Sequence, residues 1–144
     1  MTCDEMNQLL RSELSAVETY QQALDKEREK FGHETEFQQL TAILGEHQQA
    51  ASQLTTQIQR LGGTPVQDSG AWGMWSKIVM GTAKLMGDKA ALKALKEGEE
   101  SGLKEYQDAL HDTTTPSEVK TVLNSLLPKQ QAHIRTLDGL MVKL

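Results

Sequence analysis

"ELSAVETYQQAL" at residues 13 to 24 and "EESGLKEYQDAL" at residues 99 to 110 agree at six of twelve positions, in Glu, Ser, Tyr, Gln, Ala and Leu. Both segments read as amphipathic helix, with apolar residues recurring three and four apart and polar ones between them. In the first, the apolar stripe runs from Leu9 and Leu10 through Ala16, Val17 and Tyr20 to Leu24. Glu13 lies inside that stripe, four residues after Leu9 and four before Val17, so it faces inward. Glu99 holds the corresponding place among Leu92, Leu95, Leu103 and Tyr106. The offset of 86 that lays Glu13 on Glu99 and Tyr20 on Tyr106 also lays His47 on His133 without an insertion, so the chain reads as an internal repeat.

Working outward from these segments, nearly the whole chain reads as helix. Three prolines, 4% aromatic residues and long runs of Leu, Ala, Gln, Glu and Lys favour helix over strand, and the class is all-α. Thr2 with Glu5 forms a capping box for a first helix reaching about Glu29, and "KFGHET" turns the chain. A second helix runs from about Thr35 to Leu61 and stops at Gly62-Gly63, with Pro65 close behind. A shorter amphipathic segment, Trp72 to Met86, precedes a third helix from about Lys89 to Leu110, capped by Asp88. In "TTTPSEV", Thr115 reads as the cap of a fourth helix, with Pro116 at its first position and Glu118 completing the box; Pro128 lies inside that helix. The expected architecture is a four-helix bundle of two hairpins, 2–61 and 88–144, joined by a long, partly helical crossover at 62–87, all in one domain.

Composition narrows the function classes. A length of 144 residues with 38% hydrophobic content suits one core of ordinary size. A net charge of −5, with cations scattered among acids, offers no basic stripe for nucleic acid. One cysteine, Cys3, excludes an internal disulfide and any Cys-x-x-Cys motif, and a cytoplasmic setting is expected. The start, "MTCDEMNQLL", has neither the basic nor the apolar region of a signal peptide, and no apolar run is long enough for a transmembrane segment.

Each expected helix carries a polar group within its apolar stripe: Glu13, then His47, then Glu99, then Gln130 and His133. Burying such groups unpaired costs several kcal/mol apiece, so they are expected to meet. Glu-x-x-Ala-x-x-x-Tyr at Glu13, Ala16 and Tyr20, echoed by Glu99, Gly102 and Tyr106, resembles the first and third helices of the ferritin-like superfamily of di-iron carboxylate bundles. "RLGGTP" and "KEGEESGLKEYQDAL" are most similar to small bacterial ferritin-like domains of unknown function. The crossover, "WGMWSKIVMGTAKLMGDKAAL", is similar to that of demethoxyubiquinone hydroxylases. The resemblance implies a metal set drawn from Glu13, His47, Glu99 and His133. It also implies a Glu three residues before each histidine, where this chain has Leu44 and Gln130. Glu46 does not restore the lost carboxylate, because it adjoins His47 and points about 100° around the helix from it.

Two carboxylates and two imidazoles suit a single iron, manganese or zinc ion and leave a di-iron centre without its bridges. The alternative is a metal-free core in which Glu13 pairs with His47 and Glu99 with His133, with Tyr20, Tyr106 and Gln130 satisfying what remains. A non-catalytic role is expected ahead of a metal-dependent oxidoreductase, and no catalytic residue stands out. A different class of function, an interaction module, would place partner binding at Trp72 and Trp75, on a stripe flanked by Lys77 and Lys84 that suits a protein partner or a membrane surface. Pairing through an apolar face would make the protein a homodimer.

Overall fold

The computed structural model of the chain describes residues 1–31, 35–68 and 89–143, apart from the side chains of 25–31. The expected crossover helix, with Trp72 and Trp75, and the Asp88 cap lie outside the described residues. Among the described residues the helices are α1 (Cys3–Phe31), α2 (Thr35–Arg60), α3 (Lys89–His111) and α4 (Ser117–Val142). Helix α1 packs chiefly on α2, and α3 on α4; sparser contacts of α2 with α4 and of α1 with α3 close the four into a bundle. None of the described helices is long and apolar enough to cross a membrane.

Local chemistry sets the helix ends. Glu5 donates its backbone N–H to Thr2 Oγ1 at 3.2 Å, as the capping box requires. At the end of α2, Gly63 N–H reaches Ile58 O at 2.9 Å and Gly62 N–H reaches Gln59 O at 3.0 Å. This is the Schellman arrangement, and Gly62 takes the φ of 81° that it demands. Asn7 then ties the following loop to α1, donating to Thr64 O at 3.1 Å and accepting from Val66 N–H at 2.9 Å.

The start of α4 differs from the expectation. Pro116, not Thr115, is the capping residue, and it makes no side-chain cap bond. The Thr115 hydroxyl donates instead to Ala109 O at 2.7 Å, one of the orphan carbonyls at the end of α3, and Glu118 turns outward to Arg60. Two helix ends compete for one hydroxyl here, and the carbonyl end takes it. Helix α4 runs unbroken through Pro128.

The core divides along the bundle axis. One apolar cluster gathers Tyr20, Leu24, Leu40, Leu95 and Leu137. The other gathers Leu10, Leu54, Ile58, Tyr106 and Leu123. On each helix the inward polar residue falls between the stretches feeding these clusters, so Glu13, His47, Glu99, Gln130 and His133 form a polar layer between two apolar ones. A buried leucine or isoleucine contributes about 1.5–3 kcal/mol, and the flanking layers supply the stability that the polar layer does not.

Candidate metal centre

All five polar residues of the layer are buried, and Glu99 at its centre is 0% exposed. Glu99 Oε1 accepts from the Tyr20 hydroxyl at 2.8 Å and lies 2.7 Å from His47 Nε2, while Oε2 lies 3.3 Å from His133 Nδ1. Glu13 stands on the other side of His47: its Oε2 is 2.6 Å from Nδ1, and its Oε1 accepts from the Tyr106 hydroxyl. The tyrosine bonds are reciprocal, Tyr20 of α1 serving Glu99 of α3 and Tyr106 of α3 serving Glu13 of α1. The His47 and His133 rings lie 4.7 Å apart at 55°, and Tyr20 stacks on His47 at 5.6 Å.

Electrostatics follow from this packing. Burial pushes both tyrosine hydroxyls well above their usual pKa, and the adjoining carboxylates push them further, so both remain protonated donors. Burial alone would lower the pKa of His47, but Glu99 and Glu13 together outweigh it and hold it well above 6.5. Ionised carboxylates only accept, so without an ion both nitrogens of His47 donate and the ring is imidazolium. Burial works against ionising Glu99 as well, yet the two histidines bring its pKa down from 4.5 to about 2.

Glu13, His47, Glu99 and His133 all join one network, and so do Tyr20, Tyr106 and Gln130. The two Glu–His couples expected for a metal-free core are both present, but the bond from His47 to Glu99 links them into a single unit. Within this unit His47, Glu99 and His133 can each offer a ligand atom within 4.8 Å of the other two. Glu13 is not part of that triplet.

Glu46, which its angle on the helix sets aside, lies 3.1 Å from His133 Nε2 through Oε1. It does not stand in a bridging place; it reaches His133 from outside, with its side chain 38% exposed. The angle is real, but at the edge of the α2 face it directs a long side chain toward α4. No periodicity announces such a contact, since it depends on the distance between two helices.

Leu44 and Gln130, at the positions of the missing carboxylates, are both accounted for. Leu44 packs against the first apolar cluster. Gln130 donates Nε2–H to the Glu99 backbone carbonyl at 2.9 Å, directly over Gly102, where a Cβ would stand 2.8 Å from that nitrogen. Neither residue supplies a bridge between two metals, so the layer does not fit a di-iron centre. It does fit one ion, because both histidines already have an outer nitrogen on a carboxylate and an inner one on Glu99.

Comparisons with known proteins agree with this architecture. The model of a family described as a domain of unknown function, DUF2383, matches residues 1–112, which include Glu13, His47 and Glu99 but not His133. Among solved structures, the bacterioferritin of Rhodobacter capsulatus, described with a metal-free dinuclear site and a haem iron, superposes with a TM-score of 0.76 at 21% identity. The match covers 97% of this chain and 82% of the bacterioferritin, and it shows that the bundle is ferritin-like. Curated proteins give no match.

Proposed function

The chain belongs to the DUF2383 family, and we propose that this member uses its ferritin-like bundle to hold one divalent transition-metal ion, iron, manganese or zinc, in a layer that has lost the bridging carboxylates of a di-iron site. The observation that carries the reading is the approach of His47, Glu99 and His133 to within 4.8 Å of one another at the bundle centre. Ligand atoms sharing one zinc lie about 3.4 Å apart, as follows from bonds of about 2.1 Å in tetrahedral geometry. The 3.3 Å between Glu99 Oε2 and His133 Nδ1 is close to that value, whereas the 2.7 Å between Glu99 Oε1 and His47 Nε2 is a hydrogen-bond length that would open by about 0.7 Å around a shared ion. Charge supports the same reading: two buried carboxylates and the half-buried Glu46 face two imidazoles, and a divalent cation offsets the excess negative charge in a place water does not reach. When bound, the ion would supply Lewis acidity, while Tyr20 and Tyr106 hold the carboxylates of Glu99 and Glu13 in place and Gln130 holds the Glu99 backbone carbonyl.

One observation favours a second reading, a metal-free polar core. His47 bridges Glu13 and Glu99 through both nitrogens, an arrangement that satisfies an imidazolium without any ion. Metal content separates the two readings. Protein purified without chelator or affinity tag, analysed by inductively coupled plasma mass spectrometry, is expected to hold about one ion per chain. A His47→Ala/His133→Ala variant is expected to hold none. A chain that remains empty after exposure to Fe²⁺, Mn²⁺ and Zn²⁺ would refute the metal reading and leave the polar core.

A further inference from the structure

The geometry points to Glu13 and Glu46 as the positioning carboxylates of the site, with the ion resting on His47 Nε2, Glu99 and His133 Nδ1. This assignment rests on the single-ion reading above and departs from the one that treats Glu13 as a ligand. An imidazole gives an ion one nitrogen only, and the N–H on the other must find an acceptor when the ring is buried. His47 and His133 are both buried and both meet that condition. The outer nitrogen of His47 is Nδ1, 2.6 Å from Glu13 Oε2, and the outer nitrogen of His133 is Nε2, 3.1 Å from Glu46 Oε1. Both inner nitrogens face the same carboxylate, that of Glu99. Glu13 is occupied on both oxygens, by Tyr106 and by His47, and neither contact turns it toward His133.

The assignment also accounts for an asymmetry between the two halves of the chain. Under the 86-residue offset, the counterpart of Glu46 is Ala132, which carries no polar group. If the halves were used alike, each glutamate would serve both histidines; instead Glu99 takes both inner nitrogens, and Glu46 supplies the outer contact that His133 would otherwise lack. The centre is built on one central carboxylate and two outer ones, unlike a pair of equivalent half-sites.

Co²⁺ titration of the metal-free chain, followed by its d–d absorption and by competition with a chelating dye, tests the assignment. In Glu46→Ala the dissociation constant is expected to rise about 10- to 100-fold, the usual consequence of removing the partner of a ligating histidine, and in Glu13→Gln, whose amide oxygen still accepts from His47 Nδ1, by less than that, while in both band positions and intensities stay as in the native chain. Glu46→Gln is expected to fall between native and Glu46→Ala, because the amide oxygen still accepts the ring N–H. Glu99→Gln and His47→Ala should change or abolish the bands. A change of band intensity in Glu13→Gln would make Glu13 a ligand and overturn the assignment, and so would native affinity in Glu46→Ala. Glu46 is partly exposed, so its variants retain the fold, which thermal melting of the metal-free proteins verifies. A native chain that develops no Co²⁺ bands would overturn the single-ion reading itself, an outcome distinct from the other two.

Discussion

Replacing Gly102 by alanine should destabilise the protein, although alanine is the better helix former, and the sign should reverse when Gln130 is changed as well. A Cβ at position 102 would stand 2.8 Å from Gln130 Nε2 and 3.6 Å from its Cδ. Only the amide tip is too close, yet that tip is held by a buried bond to Glu99 O at 2.9 Å. Moving it away leaves a buried N–H unpaired, at about 1–3 kcal/mol, against a gain of about 1 kcal/mol in helix propensity. The net expectation for Gly102→Ala is a loss of about 1 kcal/mol, or about 3–4 °C in melting temperature for a domain of this size. In a Gln130→Leu background the methyl groups of leucine reach only as far as the Cδ of glutamine, an ordinary contact with the new Cβ. There Gly102→Ala should stabilise by about 1 kcal/mol. The double variant would reproduce the pair that the first half of the chain carries at Ala16 and Leu44. Urea unfolding of the four proteins in a double-mutant cycle measures the difference, expected at about 2 kcal/mol. If Gly102→Ala stabilises the native chain as much as the Gln130→Leu chain, Gly102 is not making room for Gln130.

Two further predictions concern stability. In the metal-free protein, Glu99 has its pKa lowered from 4.5 to about 2, so its contribution is present above pH 4.5 and fades as pH falls through that interval. His47 is raised above 6.5, so its contribution is complete below that value and fades as pH rises through the folded pKa. Urea unfolding midpoints of the metal-free chain should therefore be highest between about pH 4.5 and 6.5, and a midpoint still climbing from pH 7 to 9 would contradict the imidazolium at His47. Asn7→Ala removes both bonds that tie the loop after α2 to α1 and should cost about 1–3 kcal/mol, with faster amide exchange at Val66; unchanged exchange there would show that the loop is held by other contacts.

Much of the fold can be read from the chain itself because it depends on short-range chemistry. Gly62 stops α2 through a backbone conformation that side chains resist, and Thr2 opens α1 by accepting the backbone N–H of Glu5, a bond spanning three residues. The inward direction of Glu13, His47, Glu99 and His133 follows from angle alone, since a residue 100° per step from its neighbours has one azimuth on a helix. Thr115 shows where this reasoning ends: its hydroxyl can serve the helix before it or the one after it, and the sequence contains both options.

Helical period and the polar interruptions of the apolar stripes were enough, without coordinates, to determine a four-helix bundle whose polar residues share one layer. Only the tertiary structure decided how that layer is wired: that Glu99 and not Glu13 is its centre, that Glu13 meets Nδ1 of His47, that Glu46 crosses to His133, and that Gln130 spends its amide on a backbone carbonyl over Gly102. The physical reason is that period specifies direction around one helix axis, whereas a hydrogen bond depends on the distance and rotamer between two helices. A shift of an ångström between packed helices leaves every azimuth unchanged and still reassigns every partner.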